Sequence, residues 1–312
     1  MLTQQVSVMP AFTLGDMIDN FKKFLNDAGR ASLTVKAYTG DVRHFGQWFM
    51  QRNGQALSPD LLTPTDIREY RAHLLDAKAG AATINRRLIA LRVYTEFALA
   101  QEVIDVDPTK GIKFVERQPL APKWLTKSQQ FDLLKQTERE LNAAKGEIKK
   151  RQAIRDMGIV QVLMNTGLRV NELCALTLDD VTMGERSGAL RVRKGKGTKQ
   201  RTVSLNNAAR AALRAWLDVR LAAAHEQLFT DSRGDPLQAR GVQHRIGELG
   251  RLAKLEITPH TLRHTFAKNL VDGGVSLEKI SALLGHSSLN TTRIYTTPSA
   301  WDLEQAVNTL CD

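Results

Sequence analysis

Cysteine is nearly absent from this chain. Cys174 and Cys311 are the two in 312 residues, and neither stands at a metal-ligand spacing. Cys174 falls in an apolar helical pattern, Leu173-Cys174-Ala175-Leu176. This speaks against a disulfide framework or a zinc finger, and for reduced thiols in a cytoplasmic protein. Long apolar runs are missing too. No stretch is long enough to span a bilayer, and the N-terminus lacks a basic start followed by an apolar run, so neither a membrane partner nor a signal peptide is expected. Internal repeats and low-complexity segments are absent. Acidic residues are in deficit: 33 Asp and Glu against 44 Lys and Arg leave a net charge of +11. With membranes set aside, a chain this basic most often meets nucleic acid. The rest is ordinary for a globular protein, at 42% apolar and 25% charged residues, and the length suggests two domains.

Taken in order, residues 1–11 carry no pattern and read as a flexible tail. Residues 12–104 read as a four-helix bundle. Its helices are expected near Leu14–Ala28, from a Ser32 N-cap to about Gln51, from Thr63-Pro64-Thr65-Asp66, and over about Ala82–Gln101. The apolar stripes of this bundle claim Tyr38, Tyr70 and Tyr94 for its core. The fourth helix has a second face, with Asn85, Arg86, Arg87 and Arg92. Such a face suits a DNA groove or phosphates, although a solvated charged face has the same pattern.

Asp107-Pro108, Pro119 and Pro122 break the helical period, which places a linker at 105–122. A second domain, 123–297, opens with Thr126 capping a helix to about Thr137. Residues 138–152 are a loop or a weak helix, and a helix near Gln152–Asn165 follows. Thr166-Gly167 breaks that helix and a new one starts at about Val170, leaving Arg169 at the junction. The period then changes to two. Gly188–Arg193 and Arg201–Leu205 read as strands joined by the glycine-bearing tip Lys194-Gly195-Lys196-Gly197-Thr198-Lys199-Gln200. From Arg191 to Arg201 there are six basic residues and no acidic one. The spacing is not that of a phosphate-binding P-loop. Helices resume over about Asn207–Ala224, Ala239–Lys254, His260–Asp272 and Ser276–Leu284, and another begins at about Leu289. The last stretch, 298–312, is amphipathic. The fold class is thus mainly α with a small β-sheet: an N-terminal four-helix DNA-binding bundle and an α+β domain.

His260 and Arg263 stand three residues apart at a helix start, so both side chains point to one oxyanion-sized spot. With Arg169, Lys196, His286 and Tyr295 they form a set suited to phosphoryl transfer on DNA. Two guanidiniums can hold the non-bridging oxygens of a phosphodiester. A preorganised positive site of this kind supplies much of the rate enhancement. A tyrosine hydroxyl can attack and conserve the bond energy in a 3′-phosphotyrosine, provided nearby cations and a histidine lower its cost of deprotonation. A lysine on a hairpin can protonate the leaving 5′-oxygen; Lys194 and Lys199 compete with Lys196 for that task. No Asp/Glu/His cluster has metal spacing, so no metal and no cofactor are expected. Taken singly, Tyr295 has the position of a packing residue, and His264 that of a residue packed behind the site or bonded to backbone. Arg293 either touches DNA or caps a helix.

Four stretches carry a family resemblance: Thr-Gly-Leu-Arg-Val-Asn-Glu-Leu at 166–173, Gly-Lys-Gly-Thr-Lys-Gln-Arg at 195–201, His-Thr-Leu-Arg-His at 260–264, and Leu-Gly-His-Ser-Ser-Leu-Asn-Thr-Thr-Arg-Ile-Tyr at 284–295. Together they resemble the tyrosine recombinase (phage integrase) family, in particular its compact Xer-like members. Thr83-Ile84-Asn85-Arg86-Arg87-Leu88 is similar to the DNA-contacting helix of the family's N-terminal core-binding domain. The resemblance implies a phosphate clamp by Arg169 and Arg263, general acid Lys196, acid/base His260, a phosphate hydrogen bond from His286, nucleophile Tyr295 and a supporting Glu172. It also implies DNA contacts from Asn85, Arg86 and Arg87, and the charge pattern adds Arg92, Lys194, Lys199 and Arg201 as expected DNA contacts. Two domains would clamp duplex DNA, with four identical or related protomers acting on two sites through a Holliday junction. Residues 298–312 would dock on a neighbouring protomer, or pack on their own domain. About eleven residues ahead of the bundle favour a simple recombinase over an integrase with an extra arm-site domain. A type IB topoisomerase and a non-catalytic DNA-binding protein are the rival readings.

Overall fold

The computed structural model describes residues 14–116, 122–193, 200–221 and 225–285, together with Thr292, Ile294 and Tyr295. The chain divides into two compact units, Met1–Pro119 and Leu120–Asp312.

The first unit holds α1 (Leu14–Asp27), α2 (Ser32–Asn53), α3 (Pro64–Asp76) and α4 (Ala81–Ala100). Residues at helical spacing meet in one core: Phe21 and Leu25 of α1, Val42 and Phe45 of α2, Tyr70 of α3, Ile84 and Tyr94 of α4. Phe21 meets the Tyr94 ring edge-on at 5.3 Å, and Phe45 meets Tyr70 at 4.9 Å. Thr63 caps α3 as expected, in a reciprocal pair with Asp66. Ser32 does not cap α2. It is the first helical residue, and Ala31 occupies the cap position without a side-chain bond.

The second unit begins with α5 (Lys127–Ala143), capped by Thr126 with Gln129, and α6 (Glu147–Thr166). Most of 138–152 is therefore helical, broken by a turn at 144–146. After α7 (Val170–Ala175) comes a three-stranded antiparallel sheet, β1 (Val181–Met183), β2 (Gly188–Val192) and β3 (Arg201–Ser204). Leu190 pairs with both Val181 and Val203. β1 was not expected from the sequence, because three residues carry no readable alternation. Helices α8 (Asn207–Val219), α9 (Ala239–Leu252), α10 (Pro259–Asp272) and α11 (Leu277–Leu284) follow in this unit.

Val160 and Leu163 of α6 are fully buried in the main core, beside Leu190 and Val203 of the sheet, Trp216 of α8 and Leu249 of α9. The buried Trp216 indole donates to the Leu228 carbonyl at 2.8 Å, so its one polar atom is satisfied. A smaller cluster stands apart from that core: Phe266 and Ala267 of α10, Ile280 and Leu284 of α11, and Tyr295. Among the described residues, no helix is long and apolar enough to cross a membrane.

The turn from α6 to α7 depends on Gly167. Its φ of +63° is left-handed, its N–H donates to the Leu163 carbonyl at 3.1 Å, and it lies against Phe266 and Leu284. A Cβ there would come within 2.9 Å of Leu284 Cδ2 and closer still to the Phe266 ring. Gly167→Ala therefore combines backbone strain with overpacking and should cost about 1–3 kcal/mol. Urea unfolding should show a lower midpoint with an unchanged slope; an unchanged midpoint would contradict this account.

Candidate active site

The site is built on a carboxylate. The Arg169 backbone N–H at the start of α7 donates to Glu172 Oε2 at 2.8 Å, and Arg169 Nη1 donates to Oε1 at 3.0 Å. Arg201, the first residue of β3, approaches from another side. Its Nη1 and Nη2 donate to Oε1 and Oε2 at 2.9 and 2.8 Å, a bidentate pair. Arg263 Nη1 stands 4.0 Å from Oε2. Burial disfavours the Glu172 anion, but the bonds from Arg201 and from the Arg169 backbone outweigh it and hold the carboxyl below the usual range.

The guanidiniums are tethered a second time at the C-terminus of α11. Leu283 O accepts from Arg201 Nε at 2.8 Å, Leu284 O from Arg263 Nη2 at 2.8 Å, and Gly285 O from Arg169 Nη2 at 3.4 Å. The last carbonyls of a helix lack intrahelical partners and carry its negative end, so cations suit them. Arg263 Nη1 also donates to Gly167 O at 2.6 Å. Its side chain is 3% exposed, against 36% for Arg169. Burial, with Arg169 nearby, lowers the Arg263 pKa to about 10, which leaves it a cation at neutral pH.

Pro259 at the first position of α10 and the Thr258–Thr261 cap fix the start of that helix. His260 and Arg263 thus share one face. They line, with Arg169, Val170, Asn171 and Gln243, a cleft of about 560 Å³. Burial, then Arg263 and Arg169, lower the His260 pKa, which favours the neutral imidazole at pH 7.

Tyr295 is 2% exposed and its hydroxyl lies 2.8 Å from His264 Nδ1. The His264 ring stacks on His260, with centroids 5.8 Å apart. Burial, with His260 and Arg263, pushes the His264 pKa down to about 4. Burial raises that of Tyr295, while Arg263 and Arg169 partly offset the rise.

The structure therefore brings Arg169, Glu172, His260 and Arg263 together, with Tyr295 joined to them through His264. Lys194, Lys196, Lys199, His286, Arg293 and 298–312 lie outside the described residues. Arg201, expected at DNA, turns inward instead: its side chain is 9% exposed and each guanidinium nitrogen is bonded within the unit. His264 does not bond to backbone but meets the tyrosine. The sequence signal for both was proximity to a motif, with nothing to show direction.

In the first unit, the Asn85 amide is spent on the backbone of Val115, donating and accepting at 2.8 Å. Arg92 donates to the Ile112 carbonyl and lies 4.2 Å from the Phe114 ring centroid. Both hold the chain that follows α4. Arg86 and Arg87 flank the buried Asp41, and the Arg86 side chain remains 43% exposed. Among the described residues, no group of three or more His, Cys, Asp or Glu side chains is arranged to hold a metal ion.

A cationic cleft with a nearby buried phenol defines a site for phosphodiester chemistry. Residues 123–300 match the phage integrase family and residues 18–102 the phage integrase N-terminal SAM-like domain; the chain belongs to the phage integrase family. It is a tyrosine recombinase, an enzyme that breaks and rejoins DNA. It is 35% identical over 290 residues to tyrosine recombinase XerC of Mycobacterium sp. (strain KMS), covering 90% of this chain and 93% of that one. Identity to XerC of Thermodesulfovibrio yellowstonii is 31% over 290 residues, covering 89% and 90%. The fold is similar to that of the XerH site-specific recombinase bound to a palindromic difH substrate, with a TM-score of 0.75, 23% identity and coverage of 96% and 85%. It is also similar to XerA recombinase, with a TM-score of 0.52, 25% identity and coverage of 95% and 98%.

The low pKa of His264 has a consequence for stability. Between pH 6.5 and about 4 the unfolded chain binds a proton that the folded site refuses, so stability falls as pH falls through that window. His260 and His44, also lowered, act in the same direction. The urea midpoint should be lower at pH 5 than at pH 7, and His264→Gln should flatten the dependence. Equal midpoints at the two pH values would refute the assignment.

Proposed function

We propose that the protein is a site-specific recombinase that exchanges DNA strands through a 3′-phosphotyrosine intermediate and a Holliday junction. The observation that carries this reading is the convergence of Arg169, His260 and Arg263 on one cleft beside Tyr295. The two arginines bind the non-bridging oxygens of the scissile phosphate and offset the charge that gathers there during attack. The Tyr295 oxygen forms a bond to phosphorus as the bond to the 5′-oxygen breaks. Lys196 protonates that oxygen, His260 moves the proton of the phenol, and His286 donates to the phosphate. Religation runs the same steps backward with a 5′-hydroxyl from another strand.

The partner is double-stranded DNA, held by four protomers, identical or related, on two sites. In the first domain, 12–104, Arg86 meets phosphates with its exposed side chain, and Arg87 adds charge beside it. Asn85 and Arg92 act there by holding 112–115. In the second, 123–297, Lys194 and Lys199 add contacts. The 298–312 segment docks on a neighbouring protomer. The setting is the cytoplasm, at the nucleoid, and the task is dimer resolution or mobile-element integration and excision.

Tyr295→Phe should abolish covalent protein–DNA adducts on a nicked suicide substrate, a loss of more than about 10³-fold if the phenol is the nucleophile. Adducts that persist would refute the assignment. Two differently labelled duplexes should yield recombinant products. Relaxation of supercoils without exchange would support a type IB topoisomerase, and binding without adducts a non-catalytic DNA-binding protein.

A further inference from the structure

Arg201 reaches the arginine cluster without walling its cleft. Arg169, His260 and Arg263 line the cleft, whereas the Arg201 side chain is 9% exposed and faces Glu172. Its Nη1 and Nη2 donate to Glu172 Oε1 and Oε2 at 2.9 and 2.8 Å, and its Nε to the Leu283 carbonyl at 2.8 Å. Every nitrogen of the guanidinium is engaged, so a phosphate in the cleft is left to Arg169 and Arg263. We propose that Arg201 is a positioning residue for strand cleavage: it takes up both oxygens of Glu172, so that this carboxylate orients Arg169 without cancelling the positive charge of the cleft. This rests on the phosphotyrosine reading, with Arg169 and Arg263 on the scissile phosphate.

Glu172 is both necessary and a hazard. It accepts from the Arg169 backbone at 2.8 Å and from Arg169 Nη1 at 3.0 Å, while the other tether of that guanidinium, to Gly285 O, is longer at 3.4 Å. The carboxylate is thus the main hold on the exposed arginine. An anion so near could also close on Arg263 and neutralise a charge that the phosphate needs. Arg263 Nη1 instead stands 4.0 Å from Oε2, beyond hydrogen-bond reach. The bidentate fork of Arg201 is the stronger contact, and it fixes the plane of the carboxylate from β3. Burial opposes the Glu172 anion, and the bond from Arg201 is foremost among the contacts that favour it. The charge count points the same way. Three guanidiniums and one carboxylate leave two positive charges, whereas the same carboxylate without Arg201 leaves one.

The test reads single-turnover adduct formation on a nicked suicide substrate, with the full chain at saturating concentration so that binding does not enter. Arg201→Gln should slow it by about 10- to 10²-fold, up to the scale of one donor lost at a developing oxyanion. Adding Glu172→Gln to Arg201→Gln restores the count of two positive charges. The double variant should therefore be faster than Arg201→Gln by about threefold or more, a coupling that neighbours in one charge network show. A tie that only supports the fold would make the double variant the slower one. An unchanged rate in Arg201→Gln, or a double variant no faster than it, overturns the proposal. If Arg201→Gln does not fold, the double variant decides, because it buries two neutral amides in place of an unbalanced anion. Its rate should lie within about tenfold of wild type, and a loss beyond the low end of the oxyanion-donor range overturns the proposal. The wild type and Tyr295→Phe separate the two levels. No adducts from the wild type, or adducts that persist in Tyr295→Phe, refute the phosphotyrosine reading. Wild-type adducts that Arg201→Gln forms at full rate refute the role of Arg201 alone.

Discussion

Three guanidiniums share one carboxylate, and the second unit's site depends on that arrangement. Two unit charges about 5 Å apart repel by about 3 kcal/mol at an effective dielectric of 20. Arg169, Arg201 and Arg263 would push each other apart without a counter-charge. Glu172 takes up part of that repulsion, with two guanidiniums in hydrogen-bond contact and the third at 4.0 Å. The cluster keeps an excess of two positive charges. That excess suits a phosphodiester, whose non-bridging oxygens gather charge as a nucleophile approaches. A carboxylate matching all three cations would leave nothing to attract the phosphate, and no carboxylate would leave no site. The lowered pKa of Glu172, reached against burial, is the same balance seen from the acid's side.

The end of α11 provides the second constraint. Three successive carbonyls, Leu283, Leu284 and Gly285, each accept from a different arginine of the cluster. Gly285 must be glycine on two counts: its φ is +65°, and a Cβ would come within 2.8 Å of Arg201 Nη1. Arg201 thus links β3 to both Glu172 and α11. A residue expected to touch DNA instead ties a strand to the end of a helix.

Much of this architecture was legible before any coordinates. Thr63 and Thr126 announced their helices by hydroxyl and acceptor three residues apart, because that pattern has a local cause. His260 and Arg263 were readable as a pair because helical spacing alone puts them on one face. Local pattern failed where partners are distant in sequence. Asn85 and Arg92 look like a polar outer face on α4, yet their partners Val115 and Ile112 fold back onto it from beyond the helix. Arg201 sits in a basic run, and nothing nearby reveals a buried carboxylate twenty-nine residues earlier. The strand β1 is too short to carry a period. Tyr295 could be named as a nucleophile only by resemblance, and its contact with His264 by no sequence argument at all.

Arg169 and Arg263 are not equivalent, although the sequence presents them as a pair. Arg263 is 3% exposed and its two terminal nitrogens are bonded to Gly167 O and Leu284 O. Arg169 is 36% exposed and opens onto the cleft. The buried guanidinium therefore also serves as a cross-link between the α6–α7 turn and the end of α11, while it lines the cleft beside Arg169. The exposed one has freedom to adjust to a substrate. A lysine at 263 would keep the charge but has a single nitrogen, so it could not reach both carbonyls with the planar fork that spans them. One buried acceptor would be left unpaired, and the turn that carries Arg169 would lose its tie to α11. The position of the exposed arginine thus depends on the chemistry of the buried one, and this makes the pair a single device.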